Sequence, residues 1–129
     1  MLTSQERGSA TVESIFAIVM LTLLTLGAVQ VAFVLYARNV LASAAHEGAR
    51  AAVERGAGAD DAPAVAGSVV RRAAGGLVSE LEVDAAATPG GPRDVLTVRV
   101  RGTVAVPGPV PFEVPVTATA TSVRERGPR

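Results

Sequence analysis

An α+β fold follows from a charge-free apolar run near the N-terminus, a helical pattern that continues beyond it, and a later switch to a period of two. The expected architecture is a long N-terminal transmembrane α-helix with a stem, then one short helix packed on a small antiparallel three-stranded sheet. Composition bounds its size. Hydrophobic residues make up 49% of the 129 residues but aromatics only 3%. Most of the apolar total outside the N-terminal run is Ala and Val, so one small domain is the limit.

The first element is the run from Ser14 to Ala37, SIFAIVMLTLLTLGAVQVAFVLYA, which carries no charge. As a helix it would be about 36 Å long, slightly more than the hydrocarbon thickness of a bilayer. Inside lipid each backbone N–H and C=O must be satisfied within the segment, so a lone run has to be helical. Thr22 and Thr25 can bond back to carbonyls one turn earlier at little cost. Gln30 is harder to place in lipid. It reads either as a contact for a partner helix or as one amide tolerated near the end of the span. Tyr36 suits a membrane interface as an aromatic anchor, with an assembly contact as the alternative.

A secretory signal peptide competes with this reading, since Arg7 provides a charged leader and Ala42-Ser43-Ala44 imitates a cleavage site. The apolar run is too long for that, because a secretory core spans about 7–15 residues. The helical pattern also continues through ARNVLASAAHEGARAAVERG as far as Gly56-Ala57-Gly58. Val40, Ala44, Gly48 and Ala51/Ala52 form one stripe of this stem, and Arg50 pairs with Glu54 at i,i+4. Small residues on that stripe would let another helix approach closely.

Beyond the Gly56–Ala59 break, Asp60 or Asp61 can cap a second helix, with Pro63 tolerated in its first turn. Val65, Ala66, Val69, Val70 and Ala73 give it an apolar side. Arg71 and Arg72 suit its C-terminal end, and Gly75-Gly76 stops it. The period then becomes two. Leu81, Val83 and Ala85 alternate with Glu80, Glu82 and Asp84. Leu96, Val98 and Val100 alternate with Thr97, Arg99 and Arg101. A turn centred on Gly90-Gly91 would set Glu82 opposite Arg99 and Glu80 opposite Arg101. A third strand is expected from Phe112 to Val123, after the connection Pro107-Gly108-Pro109-Val110-Pro111. Pro115 removes a ladder donor and assigns that strand to an edge.

Chemistry-bearing motifs are few. The formal net charge is zero, from 12 acidic and 12 basic residues that are all Arg, and nothing in that balance calls for nucleic acid. There is no cysteine, and His46 is the only histidine. HEGAR lacks the second histidine of a zinc-protease helix, so His46 reads as a surface residue of the stem. With no nucleophile–base set and no phosphate-binding loop, no catalytic residue, cofactor site or metal site is nominated, and no small-molecule substrate is expected.

One constellation does point somewhere. Arg7-Gly8 precedes a short polar stretch, Glu13 stands five residues after Gly8, and the apolar run begins at once. RGSATVES, the long span and then YARNVLASAAHEGARAA resemble the TadE-like minor pilins of the tight-adherence (Tad/Flp) type IV pilus system. The resemblance covers Arg7 to Ala52, and beyond that it is architectural. Ser14 departs from the family's usual aromatic after the acid, and Met20 or its neighbours from the proline often found in the span.

The resemblance implies a prepilin-like leader, residues 1–8, cut by a prepilin peptidase between Gly8 and Ser9. It implies that Glu13, costly at the edge of lipid unless paired, fixes axial register against the freed amine of a neighbouring subunit. The bland alternative is an acid favoured by the helix dipole and resting in the headgroups. EGAR, with Glu47, Gly48 and Arg50, matches a recurrent family element and is given a helix-packing role or an intrahelical bridge.

The expected organisation is then a leader at 1–8, a transmembrane helix (about 14–37) and amphipathic stem over 9–56, a small external domain over 57–123, and a flexible tail over 124–129. The implied function is that of a non-catalytic minor pilin or pseudopilin in pilus assembly. Its partners would be the membrane, other pilins or minor pilins, the Tad assembly platform and the prepilin peptidase. The alternative is an uncleaved single-pass envelope protein with an external binding or structural domain. Release as a soluble module near Ala44 is a third reading, and it would sever the helix. Orientation is contested. Arg38, Arg50 and Arg55 outnumber Arg7 and the initial amine, which favours a cytoplasmic C-terminal side. The resemblance implies the reverse, a cytoplasmic N-terminus and an extracytoplasmic domain.

Overall fold

A computed structural model describes residues 4–54, 60–90, 93–108 and 111–125. The chain runs through α1 (Ser4–Glu54), α2 (Asp61–Ala74), a 3-10 turn (Gly75–Leu77), β1 (Val78–Gly90), β2 (Arg93–Val106) and β3 (Phe112–Glu125). The expected break at Gly56–Ala59, and residues 126–129 of the expected tail, lie outside the described residues.

α1 is one helix of 51 residues, roughly 75 Å long. No proline occurs before Pro63, so nothing removes a ladder bond along its length. Its hydroxyls behave as their spacing suggests. Ser14, Thr22 and Thr25 donate to the carbonyls of Ala10, Ile18 and Leu21 at 2.8–2.9 Å. The surroundings change along the rod. Residues 8–25 are exposed, whereas Ala37, Val40, Leu41, Ala44, Ala45, Ala49 and Ala52 are buried.

α2 packs beside the second half of α1, with Ala62 and Ala66 against Gly48, and its buried residues are Ala62, Ala66, Gly67 and Val70. Asp60 stands at the N-cap with helical angles and makes no side-chain cap bond, so the expected cap is absent there. Asp61 in the first turn and Arg71 and Arg72 in the last still complement the helix dipole. Gly75 ends α2 at φ +52, where a side chain would be strained, and its N–H bonds to the Arg71 carbonyl.

The strands form an antiparallel meander in the order β1-β2-β3, and Pro115 lies on an edge strand as expected. The register differs from expectation by two residues. Glu82 faces Arg101 and Asp84 faces Arg99. The last pair before the turn is Gly90 with Arg93, so the turn is centred one residue later than Gly90-Gly91; Gly91 itself lies outside the described residues. Moving a turn centre by one residue shifts register by two and leaves each side chain on its face. The ion pairs therefore re-form between new partners. Arg101 lies 3.6 Å from Glu82 and 3.4 Å from Asp84, all exposed enough to contribute little. Glu80 does not face Arg101. A bulge between Ser79 and Glu82 places it at φ +50, and its carboxylate accepts the Thr103 hydroxyl at 3.1 Å. β3 continues to Glu125, two residues into the expected tail, with Arg93 3.6 Å from the Glu125 carboxylate.

The core lies between the paired helices and one sheet face. Leu96, Val98, Val100, Val104, Val106, Val116 and Ala120 come from the sheet. α1 lies over β2 and β3, and α2 over β1. The expected helix-on-sheet layer is thus two helices wide, the stem being its larger half. Apart from Leu41 and Leu96 this core is Ala and Val. Small side chains fill little volume, so stability depends on close backbone approach.

Leu41 is fully buried, and Leu41→Ala should lower stability by about 2–5 kcal/mol through lost transfer energy and an unfilled cavity. Val123→Ala, at an exposed site, should stay within about 0.5 kcal/mol. Denaturant midpoints of the two variants in detergent, followed through the strand amide infrared band, check the contrast.

Candidate functional site

The chemistry expected of this chain is concentrated on α1, which has three zones. The first is the uncovered apolar half. Val12, Ile15, Phe16, Ile18, Leu21, Leu23 and Leu24 are each more than half exposed, on every side of the helix. A helix apolar all round belongs in a core or a membrane, and the most apolar 18-residue stretch of α1 has no buried residue. It is long and apolar enough to cross a bilayer. Gly8, Ser9 and Glu13 lie exposed within this zone, inside the helix rather than before it. Among the described residues, nothing beyond Gly8's chain neighbours and the local helix backbone comes within 4 Å of where its Cβ would stand. A glycine there costs helix stability by about 1 kcal/mol relative to alanine, so this turn is comparatively easy to unwind.

The second zone is a junction near the middle of the rod. Gln30 is half-buried, and its side chain rests on Gly108 so closely that a Cβ at Gly108 would collide with the amide nitrogen. The neighbour of this amide is the chain's own β2–β3 connection. Phe112 faces Gly27, Val31, Val34 and Leu35 across an open apolar groove. Self-coverage of α1 thus begins well inside the expected 14–37 span. Slightly above, the Tyr36 hydroxyl donates to the Ala73 carbonyl at 2.8 Å while the side chain remains half exposed. That bond satisfies one of the carbonyls left open at the end of α2. Gly108 and Phe112 were not singled out from sequence, where PGPVP read only as a connection. The available signal was the charge-free stretch AVPGPVPF over 105–112.

The third zone is the stem. A Cβ at Gly48 would stand 3.0 Å from the Ala62 carbonyl oxygen and 3.2 Å from the Ala66 methyl, so the bare backbone lets α2 cross here. Arg50 pairs with Glu54 at 2.9 Å. Glu47 is exposed, and no ion pair joins it to Arg50 among the described residues. His46 is exposed beside it. No cluster of three or more His, Asp or Glu is placed to hold a metal among the described residues.

Residues 8–50 match the model of a family described as TadE-like protein. The part of α1 from Gly8 to Arg50 is similar to that family. A TadE-like segment suggests a pilus-associated protein, and the match ends before α2 and the sheet begin. No curated protein and no solved structure matches the chain.

Tyr36→Phe removes the one side-chain bond seen between Tyr36 of α1 and the last turn of α2. Losing it should cost about 0.5–1.5 kcal/mol. Amide hydrogen exchange should then quicken around residues 73–77 while the β2 and β3 amides keep their protection.

Proposed function

We propose that this chain is a non-catalytic minor pilin or pseudopilin that takes part in assembling a tight-adherence pilus. The reading is carried by one coincidence. The TadE-like match, residues 8–50, contains the whole uncovered apolar half of the rod and continues into the stem.

In this reading the hydrocarbon-spanning part is Thr11 to Gln30, 20 residues or about 30 Å, which matches a bilayer core. Glu13 then lies two residues inside one edge. An unpaired carboxylate is unfavourable there, and depth increases the cost. A neighbouring subunit's amine, freed by cleavage between Gly8 and Ser9, would neutralise it and set how far one rod slides along the next. The leader is cytoplasmic and the sheet extracytoplasmic, against the excess of Arg38 and Arg50 on the domain side. The partners are the membrane, other pilins or minor pilins, the assembly platform and a prepilin peptidase. The alternative, an uncleaved envelope anchor, keeps the span and discards the cut and the register role.

N-terminal sequencing of the membrane-extracted protein, made with and without an active prepilin peptidase, separates the two. Ser9 should be the first residue when the peptidase is present. In that background Glu13→Leu should leave membrane content unchanged and reduce surface pili, counted by electron microscopy. Met1 persisting in the presence of the peptidase, with pili indifferent to Glu13, would leave only the anchor reading.

A further inference from the structure

The anchor helix is not the sole part of this chain built to meet lipid. We propose that the two described ends of the β2–β3 connection, Pro107-Gly108 and Pro111-Phe112, here called the tip, seat on the bilayer surface, with Phe112 among the acyl chains and an acyl chain filling the groove beneath it. This rests on the reading of α1 as a membrane span.

The placement follows from the topology. α1 ascends, α2 returns to the Tyr36 level, β1 ascends and β2 descends, so the β2–β3 connection returns to the anchored end of the sheet. The far end is marked by Ala52 and Val53, which lie beside Ala87, Asp94 and Arg124. Gly108 rests on Gln30, the residue that closes the 20-residue hydrocarbon stretch. The tip is therefore held at the depth where hydrocarbon gives way to headgroups.

Its chemistry fits that depth. Residues 105–112 carry no charge, and three of the eight are proline, which has no N–H to leave unsatisfied in an apolar medium. Phe112 is 41% exposed although it pairs with Val106 at the end of the sheet's buried face. The groove it shares with α1 is apolar except for Gln30 and continues directly into the exposed lipid-facing helix surface. Charges lie just above. Arg38 follows Tyr36 by two residues, and Arg71 and Arg72 occupy the turn of α2 that Tyr36 bonds; all three are exposed. Cations about 10 Å above an apolar tip suit the phosphate layer over hydrocarbon. Glu113 is the one acid beside the tip, and it is on the opposite sheet face from Val114 and Phe112.

Two contacts with one membrane would hold the domain at a fixed tilt, where a single helix leaves it free to swing. The chain has no tryptophan, so Phe112→Trp, Phe16→Trp and Val123→Trp each create a single reporter in the full-length protein. The variants are reconstituted into phosphatidylcholine vesicles with and without brominated acyl chains. F16W and F112W should lose emission to the brominated lipid, and V123W, at the far end of the sheet, should not. Quenching of F16W without F112W would overturn the tip proposal and leave the anchor intact. Blue-shifted F112W emission that ignores the brominated lipid would show protein filling the groove and would overturn it equally. Loss of quenching at F16W as well would remove the anchor reading and the tip with it.

Discussion

Close approach between the upper half of α1, α2 and the sheet beneath them is the constraint on which the rest depends. The core is almost wholly Ala and Val, with no buried polar side chain among the described residues. Such a core gains little per residue from area, so it needs many contacts at short backbone distance. Ala44, Gly48 and Ala52 supply them on one side, and Ala62 and Ala66 on the other. Larger residues at these positions would separate the layers and open the valines of β2 to water.

From that packing follows a mechanical property. The helix that enters the apolar phase is the same helix that forms the largest wall of the folded domain, with no proline between them. A domain joined by a linker would reorient freely. Here an axial shift or rotation of the apolar half is transmitted rigidly to the sheet. A residue that sets the position of the rod, as proposed for Glu13, would thereby set the position of the displayed domain as well.

Much of this fold was legible because it rests on periodicity. A charge-free run, a stripe of small residues, and alternation of Leu81, Val83 and Ala85 each translate directly into an element and a face. The turn centre was not legible. TPGGPRD offers several punctuators, and Gly90-Gly91 has no more claim than its neighbours; the side-chain faces survived because registers two apart are equivalent in facing. The partner of the stem was half legible. Small residues predicted a close neighbour, but pattern alone does not say whether the neighbour belongs to the same chain. The junction was invisible, since Gln30 and Gly108 are 78 residues apart and no local rule joins them.

That junction changes where assembly contacts can lie. The stripe through Val40, Ala44, Gly48 and Ala52 appeared open to another subunit, yet it is already covered by α2 and the sheet. What remains uncovered on α1 is most of the stretch below Gln30, together with an outward stripe above it that runs through Val31, Leu35, Arg38, Asn39, Ser43, His46, Glu47 and Arg50. In lipid, apolar side chains give little preference between a neighbouring helix and the surrounding acyl chains, so polar and small residues have to provide it. Between Gly8 and Val29 the only ionisable side chain is Glu13. Thr22 and Thr25 already donate to their own helix, which reduces what they offer a neighbour. If rods of this kind meet side by side in the membrane, the physical chemistry leaves Glu13 as the residue best able to make one alignment differ in energy from the next.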